Sequence, residues 1–238
     1  MSTKLSVNIN KIATLRNARG GNLPNVVQVA KDCEQFGADG ITIHPRPDER
    51  HITGKDVDDL AQVVTTEYNI EGYPNDRFLA FMEKHKPTQA TLVPDGPNVL
   101  TSSAGWDTVA HFEFLEKITA QIKSLGIRVS IFVGTDKSII ENAKKLGADR
   151  IEFYTGPYAD NYSKNKEAAI QPFIEAAAIA NEIGLGINAG HDLNLDNLAY
   201  FKMNIPNLLE VSIGHALVTD ALYYGLENTI QMYKRELA

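Results

Sequence analysis

Residues 36–52 read FGADGITIHPRPDERHI. Residues 37–40 are typical of a helix end followed by a tight turn, because glycine both ends helices and begins turns. The β-branched residues at 41–43 then favour a short strand. A charged loop follows at once, stiffened by two prolines that fix φ, and it contains His44, Arg46, Asp48, Glu49, Arg50 and His51. A single loop of this kind is usually a solvated turn, but the arrangement recurs along the chain.

The helix–glycine–strand pattern returns as LGIRVSIFV, LGADRIEFY and IGLGINAG, at residues 125–133, 146–154 and 183–190. The apolar pattern predicts strands at 5–9, 40–44, 68–71, 89–93, 127–133, 150–154, 185–188 and 208–213. It predicts helices at 24–36, 55–65, 76–85, 112–125, 137–146, 166–183, 195–202 and 215–236. Eight strands thus alternate with eight helices.

Such alternation favours βαβ units and a parallel sheet. Eight units in 238 residues fit a closed (β/α)8 TIM barrel. We therefore predict one α/β domain over residues 1–238, with additional short helices. An open doubly wound sheet is the alternative, but the glycine-rich dinucleotide motif expected after its first strand is replaced by NINKIATLRNARG at 8–20.

The composition of the chain excludes several classes of protein. The chain has 43% hydrophobic and 22% charged residues and a net charge of −7, which argues against binding of nucleic acid or anionic membrane. The single cysteine allows no internal disulfide, consistent with a reducing compartment. The N-terminal residues lack a signal-peptide core, and no apolar run reaches membrane-spanning length. We expect a cytoplasmic protein.

Active sites of such barrels lie at the C-terminal ends of the strands. The predicted strands deliver the following polar residues there: Asn8, Asn10, His44, Glu71, Glu152, Tyr154, Asn188, His191, Ser212 and His215. Strands four and five end in Val93 and Val133. Two carboxylates and several imidazoles at one face are typical of general acid–base catalysis. His85 and His111, which lie in or beside helices, are interpreted as structural.

Two groups of residues are candidate anion sites. Gly190-His191 and Gly214-His215 follow strands seven and eight, where these barrels commonly bind phosphate, and Gly214 precedes a predicted helix whose N–H groups could hold an oxyanion. The first two loops supply a second, cationic group, Arg16, Arg19, Arg46, Arg50 and His51. Two anion sites beside an acid–base set predict two phosphorylated groups, on one substrate or two.

Six segments of the chain resemble segments of a known family. The matching segments are NIN-IATLRNARG, GADGITIHPRPDERHI, NIEG, IEFYTGPYA, NAGHDL and IGHALV, beginning at residues 8, 37, 69, 151, 188 and 213. They resemble the pyridoxine 5′-phosphate synthase family from about residue 5 to the last helix. The resemblance implies a cofactor-free barrel, assembled as a homo-octamer. It further implies condensation of 1-deoxy-D-xylulose 5-phosphate with 3-amino-2-oxopropyl phosphate, releasing phosphate and water.

The resemblance also implies residue roles. His44 and Glu71 match proton acceptors, His191 a proton donor, and Glu152 a carboxylate that stabilises the transition state. Contacts to the amino ketone phosphate fall on Asn8, Arg19, His191, Gly214 and His215, and those to the sugar phosphate on Arg46, His51 and Thr101. The chain departs from the common pattern at Asn10-Lys11, usually Asp-His, and at Asp192, often Gly. These three remain candidate substrate-binding residues, and no metal ligand is assigned.

Three other functions are compatible with parts of the pattern. A metal-dependent barrel hydrolase or epimerase would use His44, Glu71, Glu152 and His191 as ligands. A Schiff-base aldolase would need a buried lysine, and Lys11 is the only lysine near a predicted strand end. A non-catalytic sensor would bind phosphate esters without turning them over.

Overall fold

The computed structural model describes residues 2–95 and 104–238. Its centre is a closed barrel of eight parallel strands in sequence order, completed by pairing of the first strand with the last. The strands are β1 (Lys4–Asn8), β2 (Gly40–Ile43), β3 (Glu67–Gly72), β4 (Gln89–Leu92), β5 (Arg128–Val133), β6 (Arg150–Tyr154), β7 (Gly186–Gly190) and β8 (Leu208–Ile213). The predicted (β/α)8 barrel is confirmed.

Within the described residues, eleven helices accompany the strands. They are α1 (Asn10–Asn17), α2 (Val26–Gln35), α3 (Gly54–Leu60), α4 (Asp76–His85), α5 (Phe112–Ser124), α6 (Lys137–Lys145), α7 (Gly156–Tyr162), α8 (Lys166–Glu182), α9 (Leu198–Asn204), α10 (His215–Tyr224) and α11 (Leu226–Glu236). Side chains fix several helix starts: Asn25, Asn75 and Asp136 each accept a backbone N–H of the first turn, which satisfies a donor that the helix itself leaves unpaired.

The helix prediction was wrong in four places. Additional short helices were predicted, but none was placed at α1 or at α7, which begins Gly-Pro. The predicted helix 55–65 ends at Leu60. The predicted final helix is two helices, α10 and α11, because Gly225 between them adopts φ +78°, a conformation that breaks a right-handed helix. The added α1 and α7 lie at the mouth of the barrel, directly after β1 and β6.

The strands alternate between apolar side chains that meet the helices and polar side chains that meet one another inside the barrel. Ser6 and Thr42 are joined at 2.7 Å, Asn69 donates to Thr42 at 3.2 Å, and Thr91 donates to Asn69 at 3.0 Å. TIM barrels more often fill this space with Val, Ile and Leu. The buried polar residues on the strands are Ser6, Thr42, Asn69, Glu71, Gln89, Thr91, Ser130, Glu152, Asn188, Glu210 and Ser212.

The end of the barrel opposite the mouth is closed by charge pairs. Arg128 pairs with Glu67, and Arg150 Nη1 lies 3.6 Å from Glu210 Oε2 and donates to Asn188 Oδ1 at 3.0 Å. These groups come from five different strands, so they bridge the barrel interior. The large apolar core lies outside it, between strands and helices.

A search of the helices in the described ranges finds none with the length and apolar character needed to cross a membrane.

Candidate active site

Two carboxyl groups lie at the mouth of the barrel. Glu71 is 9% exposed and accepts a hydrogen bond from Asn8 Nδ2 at 3.4 Å. Burial raises the pKa of Glu71 to about 8, and the negative charges of Asp95 and Glu210 add to the shift. Glu71 therefore holds a proton at neutral pH.

Glu152, the second carboxyl group, is 4% exposed. Burial raises the pKa of Glu152 well above its ordinary value, and the charge of Glu71 raises it further. Each carboxyl group thus disfavours ionisation of the other. Gly190 packs directly against Glu152, because a Cβ built on Gly190 would collide with Glu152 Oε1 and displace that carboxyl group. The pair can hold and move protons as a unit.

Two imidazoles lie beside the end of β2. The rings of His44 and His51 are 6.1 Å apart, centroid to centroid. Burial lowers the pKa of His44 to about 3 and that of His51 to about 4, and the nearby charge of Arg46 contributes to both shifts. Both imidazoles are therefore neutral at neutral pH and can accept a proton or a hydrogen bond.

Arg46 is held in the same loop with 4% of its side chain exposed. Its Nη1 lies 3.3 Å from Asp95 Oδ2, and its Nε lies 3.9 Å from Asp48 Oδ1. The backbone of the loop is fixed from outside, since Arg77 Nη1 donates to the Arg46 carbonyl at 2.8 Å. The loop thus presents a buried guanidinium next to His44.

His191 follows β7 in an unusual backbone conformation. His191 and Asp192 have φ values of +76° and +54°, a region that side chains other than glycine seldom occupy. His191 Nδ1 lies 2.5 Å from Asp192 Oδ2. Because an ionised carboxylate only accepts, Nδ1 carries the proton, and proton exchange with a substrate falls to Nε2. The hydrogen bond from His191 lowers the pKa of Asp192.

Thr155 holds this loop in place. Its hydroxyl is completely buried and lies against the carbonyl oxygens of Gly190, at 2.9 Å, and of His191. The ring of Tyr154 packs edge-on against His191 with centroids 5.1 Å apart. The end of β6 therefore positions the imidazole that follows β7.

The start of α10 completes the mouth. Gly214 precedes this ten-residue helix and lies directly against Asn8, since a Cβ there would be 3.1 Å from the Asn8 side chain. His215 is exposed and close enough to Asp192 for its charge to lower the Asp192 pKa. Backbone N–H groups at this helix start can bind an anion.

The remaining predicted residues lie at the rim or beyond it. Asn10 Oδ1 accepts the backbone N–H of His44 at 2.9 Å, so its side chain fixes the end of β2. Lys11 is exposed, and its charge is near enough to His51 to lower the pKa of that imidazole. Arg19 is exposed, and within the described ranges its side chain makes no hydrogen bond or ion pair with other site residues. Thr101 lies outside the described residues.

Two arginines of the predicted cationic group, Arg16 and Arg50, form ion pairs with aspartates. Arg16 forms two hydrogen bonds with Asp56, at 2.5 and 2.8 Å, and both side chains are buried. Its predicted role as an anion ligand was wrong, because it ties α1 to α3. Arg50 pairs with Asp48 at 2.6 Å on the exposed side of the loop. Among residues 2–95 and 104–238, no group of three His, Cys, Asp or Glu side chains is arranged to hold a metal ion.

Sequence reasoning missed Asp95 and Thr155. Asp95 lies three residues beyond the apolar end of β4 and is 5% exposed, so the chain after strand four brings a carboxylate to the mouth although the strand itself ends in apolar residues. An aspartate two residues after the predicted end of this strand was a usable signal. The hydroxyl of Thr155 makes local contacts that only the folded chain brings together.

Comparison with known proteins decides the family. The family described as "Pyridoxal phosphate biosynthesis protein PdxJ" matches residues 5–238. The chain belongs to the PdxJ family. It is 64% identical to the pyridoxine 5′-phosphate synthase of Cytophaga hutchinsonii, with 99% of each chain covered, and 63% identical to that of Bacteroides thetaiotaomicron, with 98% of each covered. The predicted resemblance and the prediction of an enzyme are confirmed.

Solved structures support the fold of this PdxJ family member independently. A tryptophan synthase from M. tuberculosis matches all of the chain with a TM-score of 0.67 at 11% identity, covering 94% of its own length. A phosphoribosylanthranilate isomerase from Thermotoga maritima matches 99% of the chain and 98% of itself, with a TM-score of 0.62 at 13% identity. At such low identity these similarities concern the fold alone.

Proposed function

We propose that this PdxJ family enzyme condenses 1-deoxy-D-xylulose 5-phosphate with 3-amino-2-oxopropyl phosphate to form pyridoxine 5′-phosphate, phosphate and water, by acid–base catalysis without a cofactor. Membership of a family whose relatives are named pyridoxine 5′-phosphate synthase supports the product. The observation that carries the proposal is the layout of the mouth: the buried carboxyl and imidazole groups lie together with two candidate anion-binding elements, the start of α10 beside Asn8 and the loop that carries Arg46.

Each anion-binding element suits one substrate. The helix start at Gly214-His215, next to Asn8, is proposed to hold the phosphate of the amino ketone, with Arg19 joining when the substrate is bound. Arg46 and His51 are proposed to hold the sugar phosphate, together with Thr101, Asn10 and Lys11. Anchoring two reactants by their remote dianions turns a bimolecular encounter into an oriented one. Separate cationic groups also keep the two dianions apart.

The reaction needs repeated proton transfer. The amine of one substrate must attack the ketone of the other, and the resulting hydroxyl leaves as water only after protonation. Burial makes ionisation of the Glu152 carboxyl group unfavourable, so Glu152 can supply that proton, and Glu71 can accept protons once it is ionised. The carboxylate left behind, or the neutral imidazole of His44, can then take a proton from carbon during ring closure. His191, held by Asp192, can donate or accept through Nε2.

We also propose a cytoplasmic homo-oligomer that requires neither nucleic acid nor a membrane. The end of α10 carries Leu222 and Tyr223, which are 74% and 82% exposed in the single chain. Exposed apolar groups of this size commonly mark a protein interface. Sedimentation analysis should give a mass that is a multiple of the chain's 26.2 kDa, and eight chains is the number that the resemblance implies.

The decisive experiment mixes the purified protein with both phosphorylated substrates and measures pyridoxine 5′-phosphate and released phosphate. Formation of both in equal amounts supports the proposal. Turnover abolished by a chelator and restored by metal would favour a metal-dependent barrel enzyme instead. Loss of activity on borohydride treatment in the presence of the sugar phosphate would favour a Schiff-base lysine. Tight binding of the phosphate esters without any product would favour a sensor.

A further inference from the structure

Asp95 lies three residues beyond the end of β4, at the mouth of the barrel. The strand itself brings no ionisable group to the mouth, since Val93 follows its last residue. The chain then turns so that the Asp95 carboxylate is buried, with 4% of its side chain exposed. A buried carboxylate needs a compensating charge. In this structure Arg46 supplies one.

Arg46 lies between two carboxylates of different character. On the inner side its Nη1 is 3.3 Å from Asp95 Oδ2. On the outer side its Nε is 3.9 Å from Asp48 Oδ1, and the Asp48 side chain is 36% exposed. The inner contact is the shorter of the two and the one from which water is excluded. Of these two carboxylates, Asp95 is the closer and helps to fix the position of the guanidinium.

Removal of the Asp95 side chain would take away the acceptor oxygen that Arg46 Nη1 faces at 3.3 Å. The guanidinium could then move toward Asp48 and solvent, which offer other acceptors. A displaced guanidinium would no longer present its planar donors at the angle that a phosphate needs.

We propose that Asp95 is a positioning residue that holds the Arg46 guanidinium in place for the phosphate of the sugar substrate. The inference rests on the proposed function of Arg46 and adds to it a residue to which neither the sequence nor the resemblance assigned a role. Asp95 acts through Arg46 and is not itself a ligand of the phosphate.

Asp95 is also near Glu71, because its charge is the largest electrostatic contribution, after burial, to the raised pKa of that carboxyl group. The effects of the Asp95 oxygen and of the Asp95 charge can therefore be distinguished by mutation, because asparagine keeps an oxygen but carries no charge. The oxygen positions Arg46, whereas the charge acts on Glu71. The groups that face Glu71 from the surrounding strands and loops are Asn8, Asp95, Glu152, Glu210 and Ser212.

The test compares Asp95→Ala, Asp95→Asn and the control Asp48→Asn, measuring KM for each substrate separately. Asp95→Ala should raise KM for deoxyxylulose phosphate about tenfold or more and leave KM for the amino ketone within about twofold, the scale expected when one partner of a buried hydrogen-bonded pair is truncated. Asp95→Asn retains an acceptor oxygen for Nη1 and should restore KM to within about threefold of wild type. Asp48→Asn, which alters the exposed partner of the same arginine, should leave both KM values unchanged.

The pH dependence of kcat/KM provides a second measurement, which reports the effect of the Asp95 charge on Glu71. Both Asp95 variants should move the acid limb of kcat/KM to lower pH, because Glu71 loses a negative neighbour. Asp48→Asn should not move it. A purely structural role for Asp95 would change protein stability without this pH shift.

The proposal is overturned if Asp95→Ala changes neither KM, if it raises both KM values equally, or if Asp95→Asn raises the sugar phosphate KM as much as Asp95→Ala does. Should Asp95→Ala not fold, Asp95→Asn alone decides: a tenfold rise in its KM contradicts the proposal. Calorimetric binding of deoxyxylulose phosphate to the same variants needs no turnover. It distinguishes failure of this inference from failure of the proposed reaction, which would appear as absent product in the wild type.

Discussion

Glu71 is protonated at pH 7, although its assigned role as a proton acceptor requires the ionised form. The resemblance assigns Glu71 as a proton acceptor, yet its pKa of about 8 leaves it protonated at pH 7. The carboxyl group must therefore first release its proton to solvent before it can accept one from a substrate. The fraction of Glu71 that can act as a base thus grows as the pH approaches 8.

Glu71→Gln tests this role. Glutamine keeps the shape of the side chain and its contact with Asn8 but can neither give nor take the proton. We expect kcat to fall by roughly 10²–10⁴-fold, the usual contribution of a general acid or base, with smaller changes in KM. In the wild type, kcat/KM should rise with pH up to about 8, because the carboxylate form becomes available, and this limb should vanish in the variant.

Glu67→Gln is the matched control for Glu71→Gln. Glu67 lies on the same strand but at the opposite end of the barrel, paired with Arg128. Its substitution should lower the melting temperature while leaving kcat within about threefold of wild type. Wild-type turnover in Glu71→Gln, or an equal loss in both variants, would exclude the proposed role of Glu71.

Lys11 tests the departure from the common family pattern. Its exposed ammonium stands near His51, and a lysine keeps its charge at any pH near neutral, unlike a histidine. Lys11→Ala should therefore raise KM for deoxyxylulose phosphate several-fold and leave that for the amino ketone unchanged, as measured by steady-state kinetics. Lys4→Ala, at the opposite end of β1, serves as the control. Equal effects on both substrates would contradict the assignment.

At the scale of elements, the joint between β6 and β7 is the most constrained part of the site. Gly190→Ala should push Glu152 out of position, because the added Cβ would collide with Glu152 Oε1. We expect kcat to fall at least tenfold, since a displacement of about 1 Å can cost 10²-fold. Gly134→Ala is the control: it follows β5 at the same end of the barrel, and a Cβ there meets nothing within 4 Å. Similar activities of the two variants would contradict this constraint.

The elements also show what sequence patterns can and cannot predict. β6, β8 and α4 have the bounds that the apolar pattern predicted, because their local and tertiary preferences agree. The pattern does not reveal α1, in which only Ala13 and Arg16 are buried, since that helix depends on a distant pair with Asp56. Most catalytic candidates were predictable as polar residues at strand ends. Their partners were not, because Asp95 and Thr155 act through contacts that only the closed barrel creates.

For the whole molecule, the buried ionisable groups predict how stability depends on pH. Folding raises the pKa values of Glu71, Glu152 and Glu210, so these groups bind more protons folded than unfolded, and stability falls as pH rises from about 4.5 to the folded pKa. Folding lowers the pKa values of His44 and His51, so their contribution makes stability rise with pH, but only up to about 6.5. Above that pH only the glutamate effect remains.

The free energy of unfolding should therefore decrease between pH 6.5 and 8. Urea unfolding at several pH values measures this directly. Glu71→Gln should flatten the decrease, because it removes one of the groups that lose a proton in this range. A constant or rising stability over the same interval would show that these carboxyl groups are not buried as described.

The polar lining of the barrel also has a calorimetric consequence. Unfolding exposes the side chains that meet inside the strands, and polar surface lowers the heat capacity of unfolding where apolar surface raises it. Each square ångström that is polar instead of apolar changes that heat capacity by about 0.7 cal/mol/K. Scanning calorimetry should thus give a heat-capacity increment per residue below the usual range of about 12–15 cal/mol/K. The curve of stability against temperature should be correspondingly flat, so that cooling weakens this barrel less than one lined with Val, Ile and Leu.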